Sequence, residues 1–289
     1  MSGVAPRRNP AHVDRDTAPQ LSRGGGDTRS VAAPRVVAAL VAVAAAFAAG
    51  CSAAAPPPAV PVIEPYRAAV LAEADAFQSA TRTLTDAVRA GDVAAAKAAY
   101  QPAHRHYVAL EPLAEDIDVR IDGRTDTGDA RFTGFHRIEK ALWADGSLAG
   151  MVGYANAMDL DALALRQVVG RASFRPGDVA TMANDWLTAC MVTMVTGNEQ
   201  RWARTDLDDL ATAVGSAHAA YAALRPGVRD PGLTATLDAR FAAVTAVLDT
   251  YRRGPGYADY ATVTAAQRRQ LATQLDALAE PVSQLAAAV

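Results

Sequence analysis

An all-α fold is predicted for this sequence, built as two packed up-and-down helical bundles, and three observations carry the prediction. Alanine fills 68 of 289 positions while aromatic residues make up 6%, and small side chains favour helix and close helix packing. From Tyr66 onward apolar residues recur every three or four positions rather than every second one,. No run of alternating β-branched residues reaches strand length, and no Asn-Gly or Asp-Gly signal separates two such runs,.

Residues 1–50 read as a leader. The first 34 are polar, rich in Gly, Pro and Arg, and carry no apolar period, so they cannot bury enough surface to fold. Arg35, an apolar run over 36–49 and Gly50-Cys51-Ser52 then follow the charged, apolar and small-residue order of a secretion signal,. The run is too short to span a bilayer. Ala48-Ala49-Gly50-Cys51 resembles a bacterial lipobox, which makes Cys51 the lipidation site; cleavage near Ala49 as an ordinary signal peptide is the other reading. Residues 51–63, rich in Pro and Ala, read as a tether to a helical domain over 64–289.

Within that domain the first helix carries Tyr66, Val70, Phe77, Leu84 and Val88 and stops at Gly91, with Asp92 capping the next,. The second continues through Val93, Tyr100, Tyr107 and Leu110, with Pro102 expected to start or kink a turn and Pro112 to disturb the far end. Residues 133–143 form a short helix. Residues 178–196 carry Met182, Trp186 and Met194 up to Gly197, with Cys190 a buried, inert thiol. Leu207, Leu210, Val214 and Tyr221 mark another helix, and Leu233, Leu237, Phe241, Val244, Leu248 and Tyr251 the next. Thr264 and Gln267 open the last as a capping box ahead of Leu271, Leu275, Leu278, Val282 and Leu285,. A break over 172–177 divides the body into lobes of about 64–172 and 177–289.

The leader carries six Arg against three Asp, which leaves 22 basic and 28 acidic residues in the rest. No Lys/Arg cluster with interleaved aromatics follows residue 60, which argues against nucleic acid as a partner. The densest polar cluster runs from His104 to Glu139. His136 and Glu139 are three apart and share a helix face, so they can hold one metal ion together. Glu111 and Glu115 at i and i+4 likewise point one way, and carboxylates with an imidazole suit iron, manganese or zinc. The plainer reading is a pair of surface neighbours on a solvated face. His104 and His106 lie on different faces of a helix and cannot share an ion. H-E-x-x-H is absent, and H-x-x-E-H fails because Lys140 stands where the second His is needed,. No G-x-S-x-G, P-loop or dinucleotide fingerprint occurs.

At this cluster the sequence resembles the imelysin-like family, and within it the extracytoplasmic components of a bacterial iron-uptake system. The matching stretches are Leu110-Glu111-Pro112-Leu113-Ala114-Glu115, Phe132-Thr133-Gly134-Phe135-His136-Arg137-Ile138-Glu139, Thr196-Gly197-Asn198-Glu199, Thr205-Asp206-Leu207 and Tyr251-Arg252-Arg253 through Tyr257 and Tyr260. The resemblance implies an all-helical two-lobed fold and an H-x-x-E metal site at His136 and Glu139, with Glu111, Glu115, Asp126 and Glu199 to complete it. It implies iron, ferrous or ferric, as the metal, with zinc or copper as alternatives. The protein would capture iron outside the cytoplasmic membrane, held there by a lipid anchor, and pass it to a membrane iron permease, with a haem-peroxidase-type partner. Residues 52–63 leave no room for the cupredoxin domain that members often carry, so the chain looks like the short form. Asn198 and Gly215 stand where relatives often have a carboxylate. Two other readings are a metal-dependent peptidase of imelysin type, which the missing second His opposes, and a polysaccharide-binding or adhesive lipoprotein. The last requires Tyr257 and Tyr260 to line an exposed groove rather than pack at a helix end.

Overall fold

The computed structural model describes residues 63–125 and 132–289, with side chains described outside 115–131. Cys51, the tether up to residue 62 and Asp126 lie outside the described residues, as does the side chain of Glu115, while Ile63 already belongs to the first helix. The fold is all-α. Helix α1 (Ile63–Ala90) buries Val70, Ala74, Phe77, Thr81, Leu84 and Val88 on one face, the three-and-four spacing that a 3.6-residue period requires. It ends where Gly91 takes φ +72°, and Asp92 then accepts the Ala95 N–H at 2.9 Å, opening α2 (Val93–Thr125),.

Helix α2 runs on through both prolines, so Pro102 starts no new helix and Pro112 does not end this one. A helix-interior proline removes one donor and crowds the preceding turn. Here Tyr100, Ala103, Tyr107, Leu110 and Leu113, buried around the two prolines, hold the helix through tertiary packing. Next come α3 (Gly134–Lys140), a π-helical turn at Ala141–Asp145, and α4 (Val152–Arg171). Sequence periodicity does not resolve α4, because its buried face is built of Ala155, Met158, Ala162, Leu165 and Val169 while Leu160 and Leu163 face solvent.

The second half holds α5 (Pro176–Val192), α6 (Asp206–Leu224), α7 (Pro231–Asp249), α8 (Ala265–Ser283) and the short α9 (Leu285–Ala288). Helix α5 stops ahead of the expected end at Gly197, and the intervening residues form turns. A two-residue ribbon pairs β1 (Arg252–Arg253) with β2 (Gly256–Tyr257), too short for any alternation signal. The capping box of Thr264 and Gln267 is present at α8. Among the described residues, buried apolar side chains fall into two clusters. One, built on α1 to α4, centres on Phe77, Tyr100, Tyr107, Phe135 and Met158. The other, built on α5 to α9, centres on Trp186, Leu210, Tyr221, Phe241 and Leu275, and takes in Val108 from α2. Helix α2 meets α5 and α6 across the boundary, and the candidate site lies at this seam. No described helix is long and apolar enough to cross a membrane.

Candidate functional site

The site is carried by a short helix whose orientation is fixed from below. In α3, Phe135 and Ile138 are buried, as is Ala141 just after it. The Phe135 ring packs edge-on against Tyr100 and His104, with centroids 5.7 and 5.0 Å away. That anchoring turns the adjoining face, with His136 and Glu139, toward the second half of the chain. Gly134 opens the helix at φ +64°, in the left-handed region that glycine enters freely.

Residues 193–205, between α5 and α6, come to meet this face. Glu139 Oε1 accepts the backbone N–H groups of Trp202 and Ala203 at 2.6 and 2.8 Å. Its other oxygen lies 3.3 Å from His136 Nδ1. The far ring nitrogen, Nε2, lies 3.5 Å from Glu199 Oε1. The imidazole is thus flanked by carboxylates on both nitrogens, and Glu139 is wholly buried. A small concavity of roughly 100 Å³ opens beside it, lined by Phe132, His136, Asn198, Glu199, Arg201 and Trp202. Asn198 is exposed at its edge.

Behind the site lies a buried polar seam that sequence reasoning missed. His104 Nδ1 sits 3.2 Å from Asp209 Oδ1, which also accepts from Gln101 Nε2 at 2.9 Å. The Gln200 amide nitrogen lies 3.1 Å from His104 Nε2, and the Gln200 backbone N–H donates to Asp206 Oδ1 at 3.2 Å. Burial, reinforced by the charges of Asp209 and Glu199, pushes the Asp206 carboxyl up to about 7. Burial also raises Asp208, partly opposed by Arg105. The signal in the sequence is the triple acid Asp206, Asp208, Asp209 in the first turn of α6, where carboxylates suit the helix N-terminus.

The structure therefore brings together three of the expected residues, His136, Glu139 and Glu199. Glu111, half-buried on α2, stands close enough that its charge and that of Glu199 both help burial raise the Cys190 thiol well above its ordinary value. Cys190 is a buried free cysteine, as expected. His106 pairs with Glu73 at 2.6 Å on another face from His104, which faces Asp209. Gly215 lies on α6 beside a separate groove. Tyr260 is buried and Tyr257 half-buried, so Tyr260 lines no exposed groove. Among the described residues, no group of three or more His, Cys, Asp or Glu side chains is drawn together in metal-holding geometry. The spacing is informative nonetheless. Two donors bound to one ion at about 2.1 Å stand about 3 to 3.5 Å apart, and His136 Nε2 and Glu199 Oε1 fit that pair.

A family profile described as imelysin, peptidase M75, matches residues 62–285. The iron uptake system component EfeO of Escherichia coli strain K12 is 36% identical over 233 residues, covering 77% of this chain and 62% of the relative. EfeO of Shigella flexneri and of Escherichia coli O157:H7 match to the same extent. The chain thus spans 62% of the length of these curated relatives.

Proposed function

Because this chain belongs to the imelysin family, we propose that it serves as a non-catalytic binding component of an iron uptake system, with iron as its cargo. The observation that carries this reading is the flanked imidazole: His136 Nε2 faces Glu199 while Nδ1 faces the buried Glu139. A carboxylate on Nδ1 favours the proton there and leaves the Nε2 lone pair for a metal, the outer-sphere arrangement that metal-binding histidines use. His136 Nε2 and Glu199 are then donors to the ion, and Glu139 orients the ring, a division of roles that shared helix spacing does not reveal. Glu111, Glu115 and Asp126 are the further oxygen donors, and an imidazole among carboxylates suits ferrous or ferric iron, with zinc or copper as competitors.

The EfeO relatives are named as parts of an iron uptake system. By that likeness the chain would hold iron outside the cytoplasmic membrane, tethered through Cys51, and hand it to a membrane permease, with a haem-peroxidase-type partner. Peptidase chemistry is disfavoured, because Lys140, at the place of the second zinc histidine, is paired with Asp145 at 2.6 Å. Titration of the purified protein with Fe²⁺ under argon and with ferric citrate in air, read by calorimetry and elemental analysis, tests the reading. Wild-type protein binds iron stoichiometrically, and His136→Ala and Glu199→Gln lose it. Equal binding by these variants sinks the assignment.

A further inference from the structure

The segment of residues 193–205, which brings Glu199 to His136, is held from outside by a part of the chain remote from the site. Tyr260, wholly buried just after β2, donates its hydroxyl to the Val195 carbonyl. The next carbonyl, that of Thr196, accepts from Arg268 Nη1 at 3.3 Å, and the Arg268 guanidinium stacks 4.8 Å from the Tyr260 ring centre. The residue after that, Gly197, lies against the same ring. It has φ +76°, and a Cβ there would stand 2.6 Å from Tyr260 Cε1, a distance that side chains do not tolerate. Three consecutive residues therefore rest on one tyrosine and its stacked arginine, and Glu199 follows two residues later. On the downstream side the Tyr260 backbone N–H donates to Arg204 O at 3.0 Å, next to the Trp202 and Ala203 amides that clasp Glu139.

We infer that Tyr260 is a positioning residue for cargo binding, its hydroxyl fixing the upstream arm of this segment and thereby the Glu199 carboxylate opposite His136. The inference rests on the iron-site reading above. Filling the core asks only for an aromatic ring at 260. The hydroxyl aimed at Val195 and the glycine flattened on the ring serve the segment. Burial pushes the phenol up to about 12, so the donor keeps its proton throughout the physiological range.

Tyr260→Phe retains the ring and the backbone bond to Arg204, so it loosens only the upstream arm. Loss of that one bond is expected to weaken Fe²⁺ binding about fivefold to tenfold. It is also expected to speed amide exchange at Glu199 and Gln200 while Trp202 and Ala203 stay protected. Gly197→Ala, which pushes the segment off the ring, should do the same by another route. The control is Tyr221→Phe, which removes a hydroxyl bonded to Thr234 O and Asp238 away from the site and should leave iron affinity unchanged. Wild-type affinity in Tyr260→Phe overturns the inference alone, as does equal weakening in Tyr221→Phe, which would report general destabilisation. Failure of the wild-type protein to bind iron overturns the iron-site reading and this inference with it.

Discussion

Glu139 performs two tasks with its two oxygens, and substitutions separate them. Oε1 accepts the Trp202 and Ala203 N–H groups, while Oε2 faces His136 Nδ1. In Glu139→Gln the amide oxygen keeps the two backbone donors, so the NH2 group must face Nδ1. An N–H there requires a lone pair on Nδ1, which moves the imidazole proton to Nε2 and blocks the atom that faces Glu199. Loss of such an orienting carboxylate weakens metal binding about 10- to 100-fold, with the fold intact. Glu139→Ala in addition strands two half-buried donors. Bonds to charged groups contribute roughly 1.5 to 3 kcal/mol each, partly offset by the cost of burying the carboxylate, so a net loss of about 3 kcal/mol is expected. For a domain of this size that lowers Tm by roughly 6–12 °C. Thermal unfolding by circular dichroism and iron titration by calorimetry read the two effects separately. A Gln variant that binds iron within twofold of wild type, or an Ala variant as stable as wild type, refutes the reasoning.

Three further outcomes follow from described features. The Asp206 carboxyl is raised to about 7 by burial, so the folded state holds its proton more tightly than the unfolded chain does. Stability should fall as pH rises from about 4 to about 7 and level off above. Asp206→Asn should flatten that slope in urea titrations across the pH range, and parallel profiles would count against it. Pro112→Ala restores a donor toward Val108 inside α2 and should raise the urea midpoint by an amount equivalent to about 1–3 kcal/mol; a lowered midpoint would mean the ring is needed for packing. Cys190, buried and with its thiol well above the ordinary range, should react with a thiol reagent only on unfolding, and rapid labelling of the native protein would contradict its burial.

The helical fold was legible because Phe77, Leu84 and Val88, or Leu233, Leu237 and Phe241, repeat at a spacing that one helix face demands. Local punctuation was equally readable at Gly91-Asp92 and at the Thr264–Gln267 box. The prolines of α2 do not break the helix, because propensity is local whereas Tyr100 and Tyr107 hold it through residues distant in sequence. Helix α4 escaped because alanine gives periodicity little contrast and Leu160 and Leu163 lie on its exposed side. At the site, spacing put His136 and Glu139 on one face. It could not tell which ring nitrogen each carboxylate takes, since that depends on where residues 193–205 return. The seam of His104, Asp209, Gln200 and Asp206 was invisible for the same reason: its members lie up to 105 positions apart and meet only through tertiary packing.

The wide turn at Ala141–Asp145 bears on how this region can change in evolution. A π-helical turn amounts to one extra residue accommodated within a helix. It sits directly after Lys140, closed by Gly146 at φ +62° whose N–H returns to Ala141. A one-residue deletion there can be absorbed by tightening the turn to an ordinary α geometry, leaving everything upstream in register. The same deletion between Gly134 and His136 has no such slack. It rotates each following side chain by about 100° about the helix axis, which carries Glu139 away from the amides of Trp202 and Ala203. A one-residue deletion is therefore expected to be absorbed at the wide turn and to dismantle the site when it falls within the histidine-bearing helix.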